Sequence, residues 1–182
     1  MNPVLECIQD RFTCRAFTGQ MPADEKLHAI MQAATQSPSA MNRQPWQVIL
    51  LRNTGLLAEM DTEGMRLLSS MPDRSAYERI QSRGGKLFYN APCAIFIAIE
   101  PGTELDCGIV SQTIALAAQS VGLGSCICGM ARLAFSGEKA AYYKEKLAFP
   151  IGSEFGMAVL LGETASAGTP HEALPEKITV IG

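Results

Sequence analysis

From Cys107 to Gly124 the chain runs without a charged residue. Such a run has two physical outlets, a membrane or the interior of a fold. Crossing a bilayer asks for about 18 or more predominantly apolar residues, and here Ser111, Gln112, Thr113, Gln119 and Ser120 interrupt the stretch. The apolar positions Ile109, Val110, Ile114, Leu116, Ala117 and Val121 lie nearly all round a helical wheel over 106–121. A helix without a polar face is a buried one. The run therefore predicts a central helix closed by the turn Gly122-Leu123-Gly124. A chain of 182 residues built round it reads as one layered domain, 1–182, which packs the helix against a sheet or a second copy.

The neighbouring segments supply that sheet. Cys93–Ile99 (CAIFIAI) is a continuous apolar run between Pro92 and Pro101, the pattern of a central strand buried on both faces. Gln47–Leu51, Phe155–Leu161 and the short Lys177–Ile181 read as further strands. Helices are predicted over 2–10, 54–70 and 137–147, and over Pro22–Gln36. In that last one Pro22 suits a first turn, and Leu27, Ile30, Met31 and Ala34 form the apolar stripe. Pro72–Gly85 reads as a polar, basic, mobile connection. Strands and helices mix without a βαβ repeat, so the class is α+β, a central mostly antiparallel sheet flanked by helices. Charged residues make up 18% of the chain against a usual value of about 25%. That excludes a disordered chain, and a net charge of −3 gives no footprint for general nucleic-acid binding. The apolar surplus points to self-association.

Several chemistries are absent. The only histidines are His28 and His171, and no G-x-S-x-G elbow exists, which removes a serine-type triad. Neither G-x-G-x-x-G nor G-x-x-x-x-G-K-[ST] is present, so no Rossmann or P-loop site is written here. Cys126-Ile127-Cys128 is C-x-C without a second pair at ligand spacing, and no metal site is predicted. Cys7, Cys93 and Cys107 read as small buried hydrophobes. Six cysteines in a chain of this length, after an N-terminus without the basic-then-apolar order of a secretory signal, predict reduced thiols and a cytoplasmic protein.

Two polar clusters remain. Arg11, Thr13 and Arg15 alternate along Arg11-Phe12-Thr13-Cys14-Arg15, so an extended backbone turns two guanidinium groups and a hydroxyl to one side. That set suits a phosphate, which arginine grips with two parallel bonds; a solvated basic turn is the plain alternative. The second cluster, Ser37–Trp46, joins small residues and two prolines to the amides of Asn42 and Gln44. It suits close approach of a planar heteroaromatic ring, or else it is a simple connection with Trp46 in the core.

In sequence, R-x-[ST]-x-R-x-F from Arg11, P-S-x-x-N-x-Q-P-W from Pro38 and L-A-A-x-x-x-G-L-G from Leu116 resemble the nitroreductase family. The resemblance implies an intertwined homodimer with two FMN groups at its interface, and NADH or NADPH as electron donor in a ping-pong cycle. By similarity Arg11, Thr13 and Arg15 hold the phosphate and the pyrimidine side of the ring, with Arg15 as electrostatic stabiliser. Pro38, Ser39, Asn42 and Gln44 reach the flavin from the other subunit. Ile127, Cys128 and Gly129 stand by the N5 edge, where many members carry an acid in place of Cys128. His171 stands in for a basic residue near the phosphate, and a second one is missing at Ala173. The implied activity is reduction of nitroaromatics, quinones or related acceptors. Two alternatives stand beside it: specialised flavin chemistry such as flavin cleavage or reductive dehalogenation, and a non-catalytic flavin-binding or thiol redox-sensing module using Cys126 and Cys128.

Overall fold

The computed structural model describes residues 2–182. Four strands, β1 (Trp46–Leu51), β2 (Cys93–Ile99), β3 (Gly124–Ile127) and β4 (Glu154–Gly162), form one antiparallel sheet in the order β1-β2-β4-β3. Six helices flank it: α1 (Pro3–Asp10), α2 (Asp24–Thr35), α3 (Thr54–Ser69), α4 (Ser75–Gln81), α5 (Glu104–Ser120) and α6 (Ala140–Lys146). Every residue of β2 is buried, because its alternate side chains feed two cores. Ile95 and Ile97 meet Leu27 and Ile30 of α2 and Val110 and Ile114 of α5. Ala94 and Phe96 face the opposite way, into a core with Leu57 and Met60 of α3 and Tyr143 of α6. The result is helix, sheet, helix, with the chain's most apolar strand at its centre.

Gly156 makes the close approach of α5 possible. It is the extra residue where the β2–β4 register slips beside Ile97 and Ala98. A Cβ placed there would stand 2.6 Å from Cys107 Sγ and 2.8 Å from Ile99 Cγ2.

The expected elements need five corrections. Helix α2 begins at Asp24 after an extended Ala23, so Pro22 lies outside it. Within Pro72–Gly85 stands α4, whose first turn is braced by Arg74 stacked over the Tyr77 ring at 4.7 Å. The tetrad Gly124–Ile127 forms β3 through pairing with β4, and a 3-10 helix follows over Gly129–Phe135. Helix α5 is buried on one side only: Cys107, Val110, Ser111, Ile114, Ala115 and Ala118 are covered, while Ile109, Leu116 and Ala117 are half-exposed. Lys177–Ile181 forms no strand. Every residue from Glu163 to Gly182 is exposed, and Pro175–Lys177 is a single 3-10 turn, so Ile178–Ile181 continues as irregular chain. The arm is tied at its root, where Thr18 N–H donates to Glu163 O at 3.0 Å and Ala165 N–H to Ala16 O at 2.8 Å. Among the described residues no helix is long and apolar enough to cross a membrane.

Candidate functional site

The segment after α1 runs extended along the outer edge of β3. Thr13 bridges Ser125 in parallel, and Cys14 N–H donates to Ser125 O at 2.8 Å. Alternation does the rest: Cys14 is buried, Arg11 and Thr13 are half-buried and Arg15 is exposed. Among the described residues neither guanidinium group has an ion-pair partner. Arg15 stands close enough to Cys126 and Cys128 for its charge to act on both thiols, so the structure brings the Arg11–Arg15 segment together with Cys126–Gly129. Phe12 between them lies under the backbone of Gly168, where no Cβ fits. The arm thus crosses this cluster three residues before His171, which is exposed.

The segment at the end of β3 divides its groups. Cys128 N–H donates to Ala158 O at 2.7 Å and its thiol to Leu87 O at 3.7 Å. The thiol therefore turns into the core, where burial pushes it up to about 11, and Cys126 to about 12. Both stay protonated at neutral pH, which speaks against thiolate chemistry. Gly129 is exposed and, among the described residues, its N–H faces no acceptor. Ile127 is 37% exposed beside it. The edge therefore presents backbone and an isoleucine, and Cys128 contributes only its main chain.

The second cluster lies elsewhere. Met41, Asn42 and Gln44 have φ of 52°, 55° and 49°, a left-handed backbone that costs an L-residue roughly 1–2 kcal/mol at each position. Local bonds hold it: Gln44 N–H donates to Ser39 Oγ at 2.8 Å, Gln44 Nε2 to Asn42 Oδ1 at 3.2 Å, and Ala40 N–H to Asp106 Oδ1 at 3.2 Å. Arg43 pairs with Glu100 at 2.6 Å across an exposed surface. These bonds leave the Ser39 hydroxyl hydrogen and the Asn42 amide hydrogens free to donate. Pro38 is exposed, Trp46 packs half-buried against the α2–α5 core, and Ser37 Oγ below the loop is buried without a partner. Met41, 87% exposed, projects from the loop; a methionine among small residues carries no signal of that in sequence.

The two clusters do not meet within one chain. One lies outside β3 and the other at the start of β1, with β3, β4 and β2 between, a separation of four strand spacings or ~19 Å. A cavity of about 560 Å³ contains neither; α3 and the 85–92 turn wall it, with Asp61 and Lys86 among its polar groups. Among the described residues no group of three or more His, Cys, Asp and Glu could hold a metal ion.

An antiparallel sheet flanked by helices, with two arginines beyond one edge and an amide-rich loop of positive φ at the other, defines the protein's class as α+β. Its family follows from the chain itself: the nitroreductase family model matches residues 8–162, and the chain belongs to that family. In structure it is similar to a nitroreductase with bound FMN from Desulfitobacterium hafniense DCB-2, at 48% identity, TM-score 0.98 and complete coverage of both chains. A nitroreductase from Bacteroides fragilis NCTC 9343, 24% identical with TM-score 0.90 and complete coverage, shares the fold. In sequence it is 31% identical over 134 residues to a Methanothermobacter thermautotrophicus protein provisionally named NADH dehydrogenase/NAD(P)H nitroreductase. That match takes in 70% of this chain and spans 61% of the relative's length.

Proposed function

We propose that this chain is an FMN-dependent oxidoreductase that takes electrons from NADH or NADPH and passes them, in a ping-pong cycle, to nitroaromatic, quinone or related acceptors. The observation that carries the reading is a pair of guanidinium groups, Arg11 and Arg15, without ion-pair partners among the described residues, on a segment that pairs with β3 and brings Arg15 close to Cys126 and Cys128. Two cations and the Thr13 hydroxyl match a phosphate and the oxygens near it, and a lone amide N–H matches a ring nitrogen, so the donor set fits FMN. Similarity at 48% identity to an FMN-bound nitroreductase supports the same reading.

FMN, when bound, supplies the acceptance and release of hydride; orientation and electrostatics are the protein's part. Arg11 and Thr13 grip the phosphate end. Arg15 favours negative charge on the adjoining ring. Gly129 N–H fixes the ring edge, and Ile127 covers its flank. His171, carried past Phe12 by the arm, adds to the phosphate end. Ser39, Asn42 and Gln44, with Pro38, hold the ring from the far side. Because those residues lie at the opposite edge of their own sheet, they serve the site of a second copy. The assembly is a homodimer, and six free thiols fit a cytoplasmic setting.

Purified protein is expected to bind FMN and turn yellow. Arg11→Ala and Arg15→Ala each remove a charge-assisted bond of about 1.5–3 kcal/mol, so each is expected to weaken FMN binding by roughly ten- to a hundredfold in a fluorescence titration. NAD(P)H oxidation with menadione or a nitrofuran should fall in step. A wild-type protein that stays colourless with added FMN would sink the reading.

A further inference from the structure

Asp61 is a buried carboxylate that the proposed chemistry does not use. It sits mid-way along α3, 9% exposed, and both its oxygens are committed to one turn. Leu87 N–H donates to Oδ1 at 3.1 Å and Phe88 N–H to Oδ2 at 3.0 Å. The turn enters through Gly84 and Gly85, whose φ of 97° and 70° suit glycine, and is strained where Tyr89 and Asn90 have φ of 50° and 60°. Strain of this kind persists only where the surroundings over-determine the backbone.

Leu87 is gripped a second time from the same helix. Gly64 leaves the notch that its side chain fills, and a Cβ at Gly64 would stand 2.5 Å from Leu87 Cδ1. On its other side Leu87 O receives the Cys128 thiol at 3.7 Å. Cys128 is next in the chain to Gly129. One helix therefore fixes Leu87 by main chain and by side chain, and Leu87 forms the floor beneath the residue that precedes the free amide. Lys86, bonded to Asn90 Oδ1, holds its charge towards Asp61. Burial pushes the Asp61 carboxyl up, while the two amides and Lys86 pull it back.

We propose that Asp61, with Gly64, is a positioning residue that sets the height of the Cys128–Gly129 backbone against the flavin ring through Leu87. This rests on the FMN reading above. Asp61 touches neither ring nor substrate; it acts through the turn. Asp61→Asn keeps the shape but turns an amide donor towards a backbone donor, which releases one side of the turn. Gly64→Ala pushes Leu87 from its notch and leaves the carboxylate in place.

The experiment is rapid-mixing reduction of FMN-saturated protein by saturating NADH or NADPH, whichever the wild type uses, with the FMN dissociation constant measured alongside. Both variants are expected to slow flavin reduction about tenfold, since small misplacements at a reacting centre cost rates of that order. Their FMN affinity should stay within about twofold of wild type, because the phosphate grip at Arg11 and Thr13 is untouched. Unchanged reduction rates in both FMN-loaded variants would overturn the proposal. So would loss of FMN from both, which marks a purely structural role. A wild-type protein that binds no FMN overturns the flavin reading itself, and is told apart by needing no variant.

Discussion

Cys126 and Cys128 carry sulfur close to Arg15, yet their chemistry is set by burial. Desolvation is the leading cause that lifts Cys126 to about 12 and Cys128 to about 11, against an ordinary value of 9.0, and Arg15 only softens it. The native state thus holds these protons more tightly than the unfolded chain does. Its share of stability is fully present below about pH 9 and is lost as pH rises towards 11–12. Thermal melts of the wild type should therefore fall across that window, and fall less steeply in a Cys126→Ala/Cys128→Ala double variant. Iodoacetamide should label neither thiol in the folded protein at neutral pH. Rapid labelling of either would return the thiol-sensor reading to contention. The extended alternation of the Arg11–Arg15 segment was legible in sequence because it is a property of spacing alone. The inward turn of Cys128 was not, since it depends on Leu87, far off along the chain.

Where β4 meets α5, one glycine decides the fit. Gly156→Ala would drive a methyl group between Cys107 and Ile99 at the β4–α5 contact. Overpacking of that kind costs about 1–3 kcal/mol, and denaturant melts are expected to show it with the m-value unchanged. Strand β2 matches its sequence reading residue for residue, because an apolar run between prolines has few alternatives. Strand β3 escaped notice: Gly124-Ser125-Cys126-Ile127 has little strand character of its own, and pairing with β4 makes it one. Helix α4 escaped because Ser75–Gln81 is polar and short, held by packing on α3 and by Arg74 over Tyr77. The loop of Met41, Asn42 and Gln44 was recognised by its residues, while its left-handed backbone was not, since neither Met nor Gln announces a positive φ. Asp61 gave no signal at all, being one acid in an ordinary amphipathic helix.

The whole chain leaves more apolar surface open than its own fold can cover. Val4, Leu5 and Ile8 of α1 are 64%, 57% and 47% exposed, Leu105 of α5 is 82% exposed, and Ile178, Val180 and Ile181 of the arm are 74–91% exposed. Helix α1 lies on the C-terminal half of α5, where the Cys7 thiol donates to Leu116 O at 3.3 Å, so the α1 face adjoins that part of α5. The charge-free run read from the sequence as a buried helix is half-covered, and in the proposed homodimer the second copy covers the rest. The same pairing would bring the Pro38–Gln44 loop of one chain to the Arg11–Gly129 edge of the other.

Subunit complementation tests this account most directly. An Arg11→Ala/Arg15→Ala chain and a Ser39→Ala/Asn42→Ala chain should each be nearly inactive alone. Co-refolded in equal amounts, half the dimers should be mixed, and each mixed dimer should carry one site free of substitutions. NAD(P)H:quinone activity is then expected to recover to about a quarter of wild type. No recovery in a mixture shown to contain mixed dimers would contradict a flavin site assembled from two chains.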